Sequence, residues 1–240
     1  MTKKKSRGRV YKITSTVITG LAIAYVMLLY FPQPLFAYSA KYGNLTIHSR
    51  EPLQPEMESV VAKANERLAR VPFYSAEKTR QIYLTGGPKM YALLSHKAYR
   101  SFANSVPFIN NIMINKTDVP ADRVIMNREF NNSRSLSGVI AHEVTHLATR
   151  ERYGTVAASM MPTWKNEGYC EYIAGDTTIP IEEGIRRWRE NPNDDTNYRY
   201  IKYQLMVRYL LEKQQITVDE LFTQAFDERD VAARTFSSLE

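Results

Sequence analysis

The chain has 240 residues, 44% of them hydrophobic and 24% charged, which is the balance of an ordinary globular protein. Its net charge of +7 is concentrated at one end, because Lys3, Lys4, Lys5, Arg7, Arg9 and Lys12 fall in the first twelve residues with no acid among them. The remainder is close to neutral, which excludes a domain-wide basic field and predicts no nucleic-acid partner. One cysteine, Cys170, excludes an intrachain disulfide.

Residues 13–31 form an uncharged run of nineteen. As a helix it is about 28 Å long, close to the thickness of a bilayer's hydrocarbon core. The basic block on its N-terminal side predicts a cytoplasmic tail over 1–12, a transmembrane signal anchor over 13–31, and an exported domain. A cleaved signal peptide is the alternative, since Ala37-Tyr38-Ser39 offers small residues at a cleavage spacing. The apolar run exceeds the ~7–15 residues of a signal core, which favours the anchor.

Prolines 32, 34, 52 and 55 punctuate a stretch without helical periodicity, so 32–54 reads as a connector lifting the domain off the membrane. The domain proper is expected over 55–240. Met57, Val61, Ala64 and Leu68 follow helical spacing, with Pro55 placed for the first helical position and Val71-Pro72 as the stop. Short apolar runs at 81–85, 108–114 and 124–127 predict strands, with a helix over 89–96 between the first two. Later segments read as helices over 135–152, 163–174, 181–190, 197–213 and 218–226. Strands followed by helices imply an α+β domain.

The helix at 135–152 contains His142-Glu143-Val144-Thr145-His146. Histidines four apart are separated by about 40° around a helix and ~6 Å along it, so both imidazoles can reach one ion. Glu143 is about 100° from the first and 60° from the second, beside the ion without ligating it. That arrangement supplies neutral nitrogen ligands for zinc and a base for a water. A catalytic site needs a third ligand. In the metzincin pattern a glycine and then a further histidine follow, but Thr149 and Arg152 occupy those two positions, so the ligand lies elsewhere. Thr163 can cap a second helix that carries Glu167 one turn in and Glu171 a turn later. On the residues alone, either carboxylate can be the ligand. Cys170 shares their helix face, but a lone cysteine is more often a small buried apolar residue.

His142-Glu143-x-x-His146 followed by Trp164-x-x-Glu167-Gly168 resembles the gluzincin zinc peptidases, the thermolysin-like group in the broad sense. The surrounding words, including Arg134-x-Leu136-Ser137 and Trp164-x-x-Glu167-Gly168-Tyr169-x-x-Tyr172, are most similar to small bacterial gluzincin-like proteins. The resemblance covers about 120–175. It implies a zincin-like domain: a small mixed sheet, a metal helix and a helical C-terminal part. It implies one Zn2+ per chain on His142, His146 and Glu167, with Glu143 as general base and Glu171 orienting His142. It also implies an oxyanion-stabilising tyrosine or histidine, for which Tyr203 is the choice among Tyr198, Tyr200 and Tyr203. Strand 124–127 would be the edge strand that pairs with an extended substrate. His48 and His96 are expected to be surface or packing residues, and Arg134 and Arg150–Arg152 to lie on solvated helix faces.

The reading is thus a membrane-anchored zinc metallopeptidase acting on a peptide or protein substrate outside the cytoplasm. The alternatives are a non-catalytic zincin-like domain that binds metal or a partner at the cell envelope, and a membrane-anchored scaffold without metal.

Overall fold

The computed structural model describes residues 3–95, 101–126, 133–191 and 198–239, with side chains from residue 11 onward. His96 and Asn127 lie outside the described residues, as does the first expected residue of helix 197–213.

Helix α1 (Lys3–Tyr30) contains one segment, Tyr11–Tyr30, that is long and apolar enough to cross a membrane. The segment expected as a connector instead supplies two strands, β1 (Tyr38–Tyr42) and β2 (Leu45–Ser49). Pro32 caps a 3-10 turn that contains Pro34, and Pro52 and Pro55 lie beyond β2, so none interrupts a ladder. Gly43 carries a positive φ of 60° between the two strands, which suits the hairpin turn.

Five strands make the main sheet, in the order β1, β2, β3 (Arg80–Leu84), β5 (Asn111–Ile114), β4 (Ala103–Ser105). The three central strands run parallel and the two outer ones antiparallel to their neighbours. Strand periodicity divides its side chains between two cores. Leu45, Ile47, Ile82, Leu84, Ile112 and Ile114 face α2 (Met57–Leu68) and α4 (Leu136–Tyr153). Tyr83 and Met113 face the other way, toward α3 (Pro88–Ser95) and the end of α1. His48 joins this second face, stacked on Tyr83 at 4.6 Å and bonded to Gln81 at 2.7 Å, a packing role as expected.

A separate three-stranded antiparallel sheet comprises β6 (Lys116–Asp118), β7 (Arg123–Ile125) and β8 (Ser133–Ser135). The expected edge strand at 124–127 is therefore corrected: β7 lies between β6 and β8, with both sides paired. In the main sheet, the outer strand packed beside α4 is β4.

Helix α4 is buried continuously from Leu136 to Thr149. Ser135 caps it by accepting from Gly138 N at 3.0 Å, and Gly154 ends it at φ 88°. The short α5 (Thr155–Met160) follows, then α6 (Thr163–Ala174). Pro162, not Thr163, occupies the cap of α6, and no side chain caps that end. The chain continues through α7 (Ile181–Glu190), α8 (Arg199–Arg208) with a π turn at Tyr209–Lys213, α9 (Val218–Thr223) and α10 (Glu228–Ser237). The architecture is α+β, with a mixed sheet and a helical C-terminal part.

Candidate metal centre

Two helices build the site. α4 contributes His142, Glu143 and His146, each no more than 8% exposed. α6 returns across it and contributes Asn166, Glu167, Cys170 and Glu171. The approach of α8 on the far side of α6 requires Gly168, because a Cβ there would come 2.5 Å from the carbonyl oxygen of Tyr203. That packing fixes α6 and hence Glu167.

The Glu167 carboxylate meets both histidines through the same kind of nitrogen. One oxygen is 3.4 Å from His142 Nε2 and the other 3.5 Å from His146 Nε2. Ligand atoms bonded at ~2.0–2.1 Å around a tetrahedral zinc are roughly 3.3 Å apart, and each of these two contacts is close to that spacing. Behind this trio, Glu171 Oε1 lies 3.4 Å from His142 Nδ1. The arrangement brings together the sequence-selected His142, His146, Glu167 and Glu171, and leaves Glu167 rather than Glu171 on the Nε2 side.

Cys170 is also within reach, and His142, His146 and Cys170 form a buried cluster able to hold a metal ion. Its sulfur meets His146 through Nδ1, at 3.3 Å, beside Asn166 Oδ1, also at 3.3 Å. Nε2 is the atom that faces Glu167, so the carboxylate and the thiol approach the His146 ring through different nitrogens. Burial, reinforced by the charges of Glu167, Glu143 and Glu171, pushes the thiol well above its usual range. At this position the sulfur can accept from Nδ1–H and hold the ring's tautomer.

The electrostatics favour positive charge at the centre. Burial disfavours the His142 imidazolium, yet Glu171, Glu167 and Glu143 outweigh it and carry its pKa up to about 9. Glu167, despite burial, is held well below the usual carboxylate range by His146 and His142. A cation could satisfy the same carboxylates while leaving both imidazoles neutral.

Arg134 departs from its expected solvated position. Its side chain is 9% exposed, and its two Nη atoms donate to the two Glu171 oxygens at 2.8 and 2.7 Å. Nη2 also reaches Asp176 Oδ1 at 3.2 Å, while the other Asp176 oxygen accepts from Ser135 N at 2.9 Å. Burial opposes this charge, but Glu171 and Asp176 hold the guanidinium above its ordinary pKa. Arg150 likewise turns inward and donates from Nη2 to the Ser105 carbonyl at 3.0 Å and hydroxyl at 3.1 Å. Arg152 does lie at the surface, paired with Asp219 at 3.0 Å.

The histidines, Glu143, Glu167 and Glu171 line a cavity of about 640 Å³ together with Asn104 and Ser105 of β4, Arg134, Arg150, Asn166 and Tyr200. Tyr203 is not among the lining residues; it packs on the main core, while Tyr200, one turn earlier on α8, reaches the cavity. Tyr200 is 41% exposed overall, yet burial of its phenol and the charge of Glu167 raise its pKa. Sequence reasoning missed β4, Asn166 and the inward-facing arginines. Ala-Asn-Ser carries no apolar alternation, and no local signal distinguishes a buried arginine from a solvated one.

No protein-family model matches the chain, and a search of curated proteins finds no matching relative.

Proposed function

We propose that the protein is a zinc-dependent peptidase of zincin-like fold, anchored by α1 with its N-terminus in the cytoplasm and its cavity on the other side of the membrane. The observation that carries this reading is the Glu167 carboxylate spanning the two Nε2 atoms at 3.4 and 3.5 Å, with Glu143 lining the same cavity. His142, His146 and Glu167 would hold the metal. When bound, zinc supplies a Lewis acid that acidifies a water and polarises a carbonyl.

The chain's own groups perform the remaining work. Glu143 takes the proton of the attacking water and passes it to the departing amine. Glu171, held by Arg134, orients His142, and Asn166 with Cys170 orients His146. Tyr200 replaces Tyr203 as the phenol placed to donate to a developing oxyanion. The substrate backbone pairs with β4. Asn115 N–H bonds the Phe102 carbonyl and Val106 N–H bonds that of Asn111, so even positions face β5 and Ala103 turns its N–H and C=O outward.

Elemental analysis of purified protein should give one zinc per chain. Glu143→Gln should keep that zinc and lose cleavage of a peptide library. A zinc-loaded wild type that cleaves nothing would leave the non-catalytic metal-binding domain in this reading's place.

A further inference from the structure

The last turns of α1 are fastened to the domain. Leu29 packs with Tyr83, Tyr91, Leu94 and Met113, and Tyr25 and Leu28 pack around them. Asn111 Nδ2 donates to the carbonyls of Leu29 at 2.9 Å and Tyr30 at 3.2 Å, which the helix itself leaves unsatisfied at its end. The Tyr25 hydroxyl donates to the Leu93 carbonyl at 2.6 Å. Tyr25 precedes the helix end by five residues, about 7.5 Å along the axis. The end of α3 therefore runs alongside the membrane-length segment Tyr11–Tyr30, at a depth inside it.

Both neighbouring segments present apolar groups outward at this level. Leu93 on α3 is 43% exposed, and Lys89 one turn before it is exposed. Phe108, between β4 and β5, is 65% exposed and held at a positive φ of 66°. That left-handed conformation is uncommon for an aromatic residue. The next residue, Ile109, packs in the same cluster as Leu29, which puts the turn at the helix end.

We propose that α3 and the Phe108 turn are seated in the interfacial layer of a lipid bilayer, so that the domain lies on the membrane surface. The proposal rests on α1 being a spanning segment. Leu93 and Phe108 enter the acyl boundary, and Lys89 extends its ammonium to lipid phosphates. Ser95 and Pro107, in the same two segments, line the cavity. The cavity thus meets polypeptide at the lipid surface, where chains emerge from the bilayer.

Site-directed spin labelling of the full chain in phosphatidylcholine–phosphatidylglycerol vesicles tests this. Cys170 is fully buried, so a cysteine introduced at an exposed position takes the label. Labels at Leu93→Cys and at Phe108→Cys should collide several-fold less with a water-soluble nickel relaxer than a label at Glu66→Cys. Glu66 is an exposed position on α2, across the sheet. They should also collide more with oxygen, which partitions into lipid. Low collision with both reagents would mean that protein covers the patch, and would overturn the proposal. So would nickel accessibility equal to that at Glu66 while a label at Val17→Cys reads the bilayer interior. A Val17 label in water would remove the membrane reading and the docking together.

Discussion

Arg134 grips Glu171 with both ends of its guanidinium, at 2.8 and 2.7 Å, on the side where Glu171 approaches His142 Nδ1 to 3.4 Å. Both side chains are almost wholly buried, at 9% and 4% exposure. Removing one member of such a pair strands the other charge, at a cost of about 3–5 kcal/mol. Arg134→Met should lower unfolding free energy by that order in a denaturant titration. It should also weaken zinc binding roughly 10–100-fold in a chelator competition, since His142 loses its fixed partner. Unchanged zinc affinity in a folded Arg134→Met protein would remove Arg134 from the site's support.

The two ways of completing the ligand set separate cleanly. Glu167→Ala should lose stoichiometric zinc by elemental analysis. Cys170→Ala should retain one zinc per chain, with weaker binding only to the extent that His146 loses its hold on a tautomer. The reverse result would move the metal to the Nδ1 side of His146 and make the site a closed one.

Tyr200 and Tyr203 are one helical turn apart on α8, with ring centroids 6.4 Å apart, and of the two only Tyr200 lines the cavity. Tyr200→Phe should lower kcat by about 10²–10³, the usual loss for one oxyanion donor, with little change in KM. Tyr203→Phe should leave kcat within a few-fold of wild type. Steady-state kinetics on any cleaved peptide decides between them, and wild-type kcat in both variants would exclude both phenols.

Asp176 links the first turn of α4 to Arg134. Burial raises its pKa, but Arg134 and Ser135 outweigh this and hold it below its ordinary value of 3.8. The unfolded chain therefore binds this proton more readily, and stability rises with pH through this region. The contribution is fully present above about pH 4–5 and is lost as pH falls through the folded-state value. Asp176→Asn should flatten that part of a stability-against-pH curve, as read by urea unfolding between pH 3 and 6. Parallel curves for wild type and variant would show that Asp176 carries no such linkage.

The extent of the sequence's foresight differs element by element. Met57–Leu68, Leu136–Tyr153, Thr163–Ala174 and Ile181–Glu190 fall within a residue or two of their expected spans, because helical spacing and terminal signals are local. The strand expected at 108–114 begins only at Asn111, after a turn with positive φ at Phe108 and Asn110 that apolar content concealed. β1 and β2 lay in a stretch read as connector, since flanking prolines masked a hairpin whose burial depends on β3 beside it.

By itself, the sequence determined the membrane-length apolar segment, the α+β class and two histidines on one helix face with a glutamate beside them. The first and last are read from spacing along a single element and the class from the order of such elements, where geometry is set by the backbone. Only the tertiary structure decided that Glu167 faces both Nε2 atoms, that Glu171 is held by Arg134, that Tyr200 rather than Tyr203 reaches the cavity, and that β4 is an edge strand while β7 is paired on both sides. Each of these depends on how separate elements pack. A residue's neighbours across an interface are chosen by the shapes on both sides, and no local pattern carries that information.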